Sequence, residues 1–117
     1  CEVEFIKVQS YKGTQSTGNV KITSDIKANL EGRHIILVED IIDSGKTINF
    51  LIREFKKKSV KSISIATFLM KSNHQKFDFS IDYIGFEIKQ GFVVGYGLDY
   101  NQKYRNLDSV YVLESKN

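Results

Sequence analysis

The chain lacks proline and tryptophan altogether, and it contains one cysteine and one methionine among its 117 residues. The single cysteine, Cys1, excludes an internal disulfide, which suits a reducing compartment. No apolar run approaches the ~18 residues that a membrane-spanning helix requires, and no signal-peptide pattern is present. We therefore expect a cytoplasmic protein that does not associate with membranes.

The remaining composition is typical of a globular domain. Hydrophobic residues make up 41% of the chain and charged residues 26%, and the length leaves room for one core, so we expect a single domain over residues 1–117. Scattered lysines give the net charge of +3, which phosphorylated small molecules explain without a nucleic-acid partner. The only methionine is Met70, and residues 2–9 already read as a strand, so we expect the carboxyl-terminal portion of a longer protein.

The side chains best suited to binding are concentrated in residues 33–47, RHIILVEDIIDSGKT. The aliphatic run at 35–38 predicts a strand buried on both faces, as in a parallel sheet. Glu39 and Asp40 follow at its carboxyl end, which is the edge at which open α/β sheets bind ligands. A solvated turn explains this concentration of acids poorly, so we expect a binding site at this junction.

A glycine-containing turn follows the third acid, Asp43. Residues 44–47 offer hydroxyls and free backbone N–H groups at the start of a predicted helix, an arrangement that suits a phosphate. A Walker A loop is not indicated, because that motif requires a glycine five positions before Gly45, and Asp40 stands there. The turn is therefore a candidate phosphate site of another kind.

Periodicity assigns the other elements of the chain. Apolar residues at helical spacing predict an amphipathic helix over 46–57, and the alternation after it predicts a second core strand that completes a βαβ unit. A polar segment with two glycines predicts a flexible loop at about 10–19. Residues 72–80 read as a polar loop. The predicted strands cover 2–9, 20–22, 35–38, 60–70, 81–88, 92–96 and 110–113, the last of which closes the sheet.

Residues 33–47 resemble the phosphoribosyl-diphosphate (PRPP) motif of the type I phosphoribosyltransferase family, in which hydrophobics and two acids precede an acid-Ser/Thr-Gly-Lys-Thr turn. The stretch 92–100, FVVGYGLDY, and Lys71 at a strand end resemble the members that act on hypoxanthine and guanine. The similarity runs over nearly the whole chain. It implies an α/β fold with a mostly parallel sheet flanked by helices. The family's first strand and Lys-Gly loop have no counterpart in this sequence.

The resemblance implies transfer of phosphoribose from PRPP to a 6-oxopurine, with Asp43 as the general base. It assigns PRPP and phosphate binding to Glu39, Asp40, Asp43, Ser44, Gly45, Lys46, Thr47 and Arg105. It assigns purine binding to Lys71, Phe92, Val93 and Asp99. An ammonium donates and cannot accept, so Lys71 would favour the exocyclic oxygen of hypoxanthine or guanine over the amino group of adenine.

The resemblance also implies a magnesium ion held by Asp99, with Glu39 and Asp40 as further candidates, since Mg²⁺ prefers oxygen ligands. Ser10 and Tyr11 match the family's flexible catalytic loop, and the family's usual assembly implies a homodimer or homotetramer. Two other functions stay open: a PRPP-binding regulator of the same fold that binds RNA, and an inactive fragment of that fold.

Overall fold

The structure, a computed structural model, describes residues 1–11, 19–24, 26–72, 76–89 and 91–114 of the chain. Within these residues it contains one α-helix and seven β-strands. The helix is α1 (Lys46–Lys56), and the strands are β1 (Val8–Tyr11), β2 (Asn19–Ile22), β3 (His34–Ile42), β4 (Ser62–Lys71), β5 (Tyr83–Ile88), β6 (Phe92–Val94) and β7 (Tyr111–Leu113).

A parallel three-stranded sheet, in the order β3-β4-β5, carries most of the candidate site. Between β3 and β4 the register runs from His34 opposite Ser62 to Ile42 opposite Met70, and α1 connects the two strands. The predicted βαβ unit is therefore confirmed. Because the strands are parallel, their carboxyl ends reach the same edge of the sheet. The residues that follow Ile42 and Met70 therefore emerge side by side.

The helix α1 packs over the sheet through the apolar stripe predicted from its sequence. The main core cluster consists of three residues from α1 and three from the strands: Leu37, Ile42, Ile48, Leu51, Phe55 and Ile65. Burying each such side chain contributes about 1.5–3 kcal/mol relative to leaving it exposed. This packing fixes the first turn of α1, which begins at Lys46, beside the end of β3.

The strand β3 differs from its prediction in length and in burial. It continues through Glu39 and Asp40 to Ile42, so these acids lie within the strand and not after it. The expectation of burial on both faces is wrong, because Ile36 is 61% exposed and Val38 is 78% exposed. Only α1 is available as a helical cover in the described part of the chain, and it packs on the face that carries Leu37.

The first part of the chain forms a hairpin in place of the predicted strand over 2–9. Strand β1 starts only at Val8 and pairs antiparallel with β2, which confirms the returning strand predicted at 20–22. Residues 2–6 alternate but have no neighbouring strand to pair with among the described residues, and Phe5 is 89% exposed. Most of the predicted flexible loop at 10–19 lies outside the described residues.

The last two strands also depart from their prediction. β7 pairs antiparallel with β6 in a separate two-stranded sheet, so it does not close the parallel sheet as expected. β6 ends at Val94, two residues early, because Gly95 and Tyr96 turn into left-handed backbone conformations with φ of 88° and 54°. This small sheet packs through Val93 on the carboxyl-terminal part of the parallel sheet, where Ile41 and Leu69 lie in the same cluster.

Candidate functional site

The carboxyl-terminal half of β3 presents two adjacent acids. Glu39 is half-buried, and both its burial and the neighbouring charge of Asp40 raise the pKa of its carboxyl above the ordinary value. Asp40 is exposed, and its Oδ1 accepts a hydrogen bond of 2.7 Å from the backbone N–H of Ile41. This bond fixes the direction of the Asp40 side chain at the edge of the sheet.

The turn after β3 has the form expected of an anion site. Gly45 caps the start of α1 in a left-handed conformation, with φ of 70°, and no side chain caps the helix there. The first turn of α1 contains no acidic residue, so none of its own side chains would repel an anion there. Ser44 and Lys46 are exposed and Thr47 is half-buried. The helix dipole and these groups would together attract a phosphate.

Asp43 and Lys71 meet across the ends of β3 and β4. The Lys71 Nζ lies 3.0 Å from the Asp43 Oδ2 and donates a hydrogen bond to it. The Lys71 side chain is only 16% exposed, whereas that of Asp43 is 53% exposed. Two residues 28 positions apart in the chain, both predicted to be functional, are thus brought together by the parallel register of their strands.

A second pair of predicted residues meets in the turns after β6. The Arg105 guanidinium lies 3.1 Å from the Asp99 Oδ1 and donates a 2.8 Å hydrogen bond to the carbonyl oxygen of Gly97. The backbone N–H of Gln102 donates to the other oxygen of Asp99 at 2.8 Å. Asp99 and Arg105 are therefore held in one folded loop, although six positions separate them in the sequence.

The predicted purine-binding residues of β6 differ in accessibility. Phe92 is 49% exposed, and its ring meets that of Tyr100 edge to face with centroids 5.5 Å apart. Val93 is buried and pairs with Val112 of β7, so its side chain belongs to the core and its main chain is the part that could contact a ligand. Ser10 and Tyr11 lie in β1.

Comparison with known proteins assigns the chain to a family. A family model described as the phosphoribosyl transferase domain matches residues 1–101. The chain belongs to the phosphoribosyltransferase family. Among curated phosphoribosyltransferases, the hypoxanthine-guanine phosphoribosyltransferase of Bacillus subtilis (strain 168) is 47% identical over 114 residues, which are 97% of this chain and 63% of that protein. The chain therefore spans less than two thirds of that relative's length.

Solved phosphoribosyltransferase structures agree with the fold. A hypoxanthine phosphoribosyltransferase from Staphylococcus aureus superposes with a TM-score of 0.84 at 40% identity, covering 94% of this chain and 60% of that one. A hypoxanthine-guanine phosphoribosyltransferase from Bacillus anthracis gives 0.84 at 42% identity, covering 94% and 65% respectively. The chain has the type I phosphoribosyltransferase fold, and the resemblance seen in the sequence is confirmed.

The donor chemistry of this phosphoribosyltransferase fits a magnesium ion that is held jointly with a substrate. No group of three or more His, Cys, Asp or Glu side chains that could hold a metal occurs in the part of the chain that the structure describes. Mg²⁺ commonly takes one or two carboxylates and completes its shell with waters and substrate phosphates. Asp99 fits this pattern, because a carboxylate oxygen can take more than one partner: Oδ2 accepts from the Gln102 N–H, Oδ1 lies beside Arg105, and each could also contact a metal ion.

Several contacts at the site were not predicted from the sequence. Gln102 bonds Asp99 through its main chain, and Phe77 and Phe79 pack against the turn at Gly45. Residues 72–80 read as a polar loop, but the phenylalanines at two alternate positions within it were a signal of partial burial. No sequence signal marks Gln102. Among the described residues, no helix is long and apolar enough to cross a membrane.

Proposed function

We propose that the protein transfers phosphoribose from PRPP to hypoxanthine or guanine, which would give the nucleoside monophosphate and diphosphate. The observation that carries this proposal is the Asp43–Lys71 pair, 3.0 Å apart at the ends of two neighbouring parallel strands. The relatives named hypoxanthine-guanine phosphoribosyltransferase support it.

The Asp43–Lys71 pair complements one edge of a 6-oxopurine. On that edge, O6 and N7 are neighbours. An ammonium has three N–H donors, so Lys71 can hold Asp43 and still donate to O6. Asp43 can accept the imidazole proton of the base as its other ring nitrogen attacks the anomeric carbon of PRPP. In adenine an amino group replaces O6, and two donors would then face each other, so the pair favours 6-oxopurines.

The acids of β3 and the turn after it would hold the sugar and its phosphate. Glu39 and Asp40 offer carboxylate oxygens that can accept hydrogen bonds from the two ribose hydroxyls. The backbone N–H groups and hydroxyls of residues 44–47, together with the dipole of α1, would bind the terminal phosphate. Asp43 lies between these two groups in the chain and is therefore suited to reach the anomeric carbon.

The loop that contains Asp99 and Arg105 would hold the leaving group. Asp99 would ligate magnesium, and Glu39 and Asp40 are further candidate ligands. The bound ion would stabilise the charge that develops on the departing diphosphate. Arg105 presents a planar guanidinium, which suits bidentate binding of a phosphate. Because Arg105 now pairs with Asp99, binding of the metal diphosphate would exchange that internal contact for contacts with the ligand.

The half-exposed ring of Phe92 would stack on the purine, while the main chain of Val93 bonds the base edge. The ring of Tyr100, which stands at 79° to that of Phe92, would help to orient it. Closure of a loop that starts at Ser10 and Tyr11, a homodimeric or homotetrameric assembly and a cytoplasmic location remain predictions of this proposal.

The direct test is an assay of the purified protein with PRPP, Mg²⁺ and each of hypoxanthine, guanine, xanthine and adenine. We expect turnover with hypoxanthine and guanine and none with adenine. Asp43→Asn should lower hypoxanthine turnover by about 100-fold or more, since general-base catalysis contributes roughly 10²–10⁴-fold. PRPP binding, measured by calorimetry, should persist because the phosphate turn is intact.

The matched control is Glu31→Gln, which also neutralises an acid but lies in an exposed turn before β3, at the opposite end of that strand. It should leave turnover unchanged. Unchanged hypoxanthine turnover in Asp43→Asn would contradict the role of Asp43 as general base. Turnover of adenine alone, or of none of the four bases, would contradict the proposed reaction. Salt-sensitive RNA binding in place of turnover would favour a regulator.

A further inference from the structure

The phosphate turn at residues 44–47 is shaped by a second segment of the chain, which lies between β4 and β5. The turn has no side-chain cap of its own, although Gly45 must hold a left-handed conformation with φ of 70°. The first helical hydrogen bond of α1 runs from the N–H of Asn49 to the Gly45 carbonyl at 2.9 Å.

Two aromatic rings close over Gly45. A Cβ built on Gly45 would lie 2.6 Å from the Cδ1 of Phe77, 2.8 Å from its Cε1 and 3.1 Å from the Cζ of Phe79. These separations leave no room for a side chain, so the rings contact the glycine backbone directly. The two rings also stack on each other, with centroids 5.1 Å apart and planes inclined by 20°. They form one flat apolar wall behind the turn.

This aromatic pair is itself anchored. Both rings are partly buried and pack on the core cluster beneath α1. The chain that follows them is fixed to β4, because Asp82 donates its N–H to the Ile65 carbonyl at 3.0 Å and accepts from the Ile65 N–H at 2.7 Å. Because the two rings are packed on the core and the chain after them is hydrogen-bonded to β4, they can restrict the motion of the turn that they contact.

The same connection begins at Lys71, the residue that pairs with Asp43. The chain from Lys71 to Phe79 therefore contributes two contacts at this end of β3: Lys71 pairs with Asp43, just before the turn, and the two aromatic rings pack on Gly45 within it. Phe77 and Phe79 meet this turn at Gly45, the residue whose left-handed backbone begins the helix.

We propose that Phe77 and Phe79 are positioning residues, which hold the turn at residues 44–47 in its anion-binding conformation by packing on Gly45. Their importance for PRPP rests on the proposed function, whereas their effect on the order of the turn does not. Removing the Phe77 ring should let Gly45 sample other conformations, which the phosphate would then have to reorder on binding. Ordering the backbone of about one residue corresponds to a roughly tenfold loss of affinity.

The test compares Phe77→Ala and Phe77→Leu with a matched control, Phe50→Ala. Phe50 is also partly buried against the same cluster, but its ring is not among the atoms nearest to Gly45. The first readout is backbone ¹⁵N relaxation of residues 44–47. Phe77→Ala should lower the order parameter from about 0.85 toward 0.6. Phe77→Leu should preserve much of the order, and Phe50→Ala should preserve it fully.

The second readout separates this role from a general loss of stability. In Phe77→Ala the KM for PRPP should rise roughly tenfold, with less than about twofold change in the KM for hypoxanthine. Phe50→Ala should change neither constant. An unchanged order parameter in Phe77→Ala, or equal loosening in Phe50→Ala, would overturn the proposal. If the wild-type protein does not bind PRPP but the turn is still loosened in Phe77→Ala, the positioning role stands and the proposed function fails. If the wild type binds PRPP and Phe77→Ala binds it equally well, the positioning role fails and the proposed function stands.

Discussion

Replacing Gly45 with alanine should destabilise the chain far more than the same change at Gly32. Both glycines have left-handed backbones, with φ of 70° at Gly45 and 68° at Gly32. An alanine in this conformation costs roughly 1–2 kcal/mol at either position. The two sites differ in their surroundings, because a Cβ on Gly32 meets nothing within 4 Å, whereas one on Gly45 lies 2.6 Å from the Phe77 ring.

The difference between the two variants therefore measures the close packing alone. Forcing a methyl group into a packed contact costs about 1–3 kcal/mol, so Gly45→Ala should lower the free energy of unfolding by roughly 2–5 kcal/mol in all. Gly32→Ala should lower it by about 1–2 kcal/mol. Urea unfolding of both variants beside the wild type supplies the numbers, provided that the slope of each transition is unchanged.

A double-mutant cycle assigns the extra cost to its cause. In a Phe77→Ala background, the loss of unfolding free energy caused by Gly45→Ala should fall toward the loss caused by Gly32→Ala, because the ring that meets the new methyl group is gone. Equal losses for Gly45→Ala and Gly32→Ala in the wild-type background would refute the reasoning. That result would mean that the rings do not press on the turn, and the positioning role proposed for them would fail with it.

Two further predictions concern charged groups of the site. Lys71→Met should weaken hypoxanthine binding by about 10- to 100-fold, since a hydrogen bond to a charged group contributes roughly 1.5–3 kcal/mol, and Lys61→Met, at an exposed lysine, should not. The KM for each substrate checks this, and an unchanged KM for hypoxanthine would contradict it. The pKa of Glu39 is raised in the folded state, so the folded state binds the Glu39 proton more tightly than the unfolded state does. The stability that this proton contributes is therefore lost as pH rises from about 4.3, the pKa of an unperturbed Glu, through the raised pKa of the folded state. Urea unfolding at pH 4 and pH 7 should therefore show Glu39→Gln gaining on the wild type as pH rises, and a pH-independent difference would argue against this.

The central unit of the fold could be predicted from the sequence because its signals are local and repeated. The helical spacing between 46 and 57 predicts α1 to within one residue, and the strands before and after it follow from their aliphatic runs. The neighbours of a strand cannot be read in the same way. The aliphatic run at 35–38 is equally compatible with cover on one face or two, and the exposure of Ile36 and Val38 depends on what else packs nearby.

Prediction of the site had a similar limit. The resemblance identified Asp43 and Lys71 separately, but their direct contact depends on strand register, which a single sequence does not specify. The aromatic wall at Gly45 was missed because two alternate phenylalanines in a polar loop give too short a pattern to distinguish a packed connection from a strand. The glycine itself indicated a turn without revealing that a neighbouring segment excludes any side chain there.

The Asp43–Lys71 pair is better explained by ligand binding than by stability. Asp43 is 53% exposed, and ion pairs this open contribute only about 0–1 kcal/mol after screening. The Lys71 side chain is only 16% exposed, so its ammonium group loses much of its hydration when the protein folds. This desolvation cost offsets the attraction to Asp43, and the ion pair therefore contributes little net stability. Under the proposed function, the Lys71 donor and the Asp43 acceptor would contribute most when a base with complementary groups displaces the water that remains around them. An unchanged free energy of unfolding in Lys71→Met, together with weakened hypoxanthine binding, is the combination that this reasoning requires.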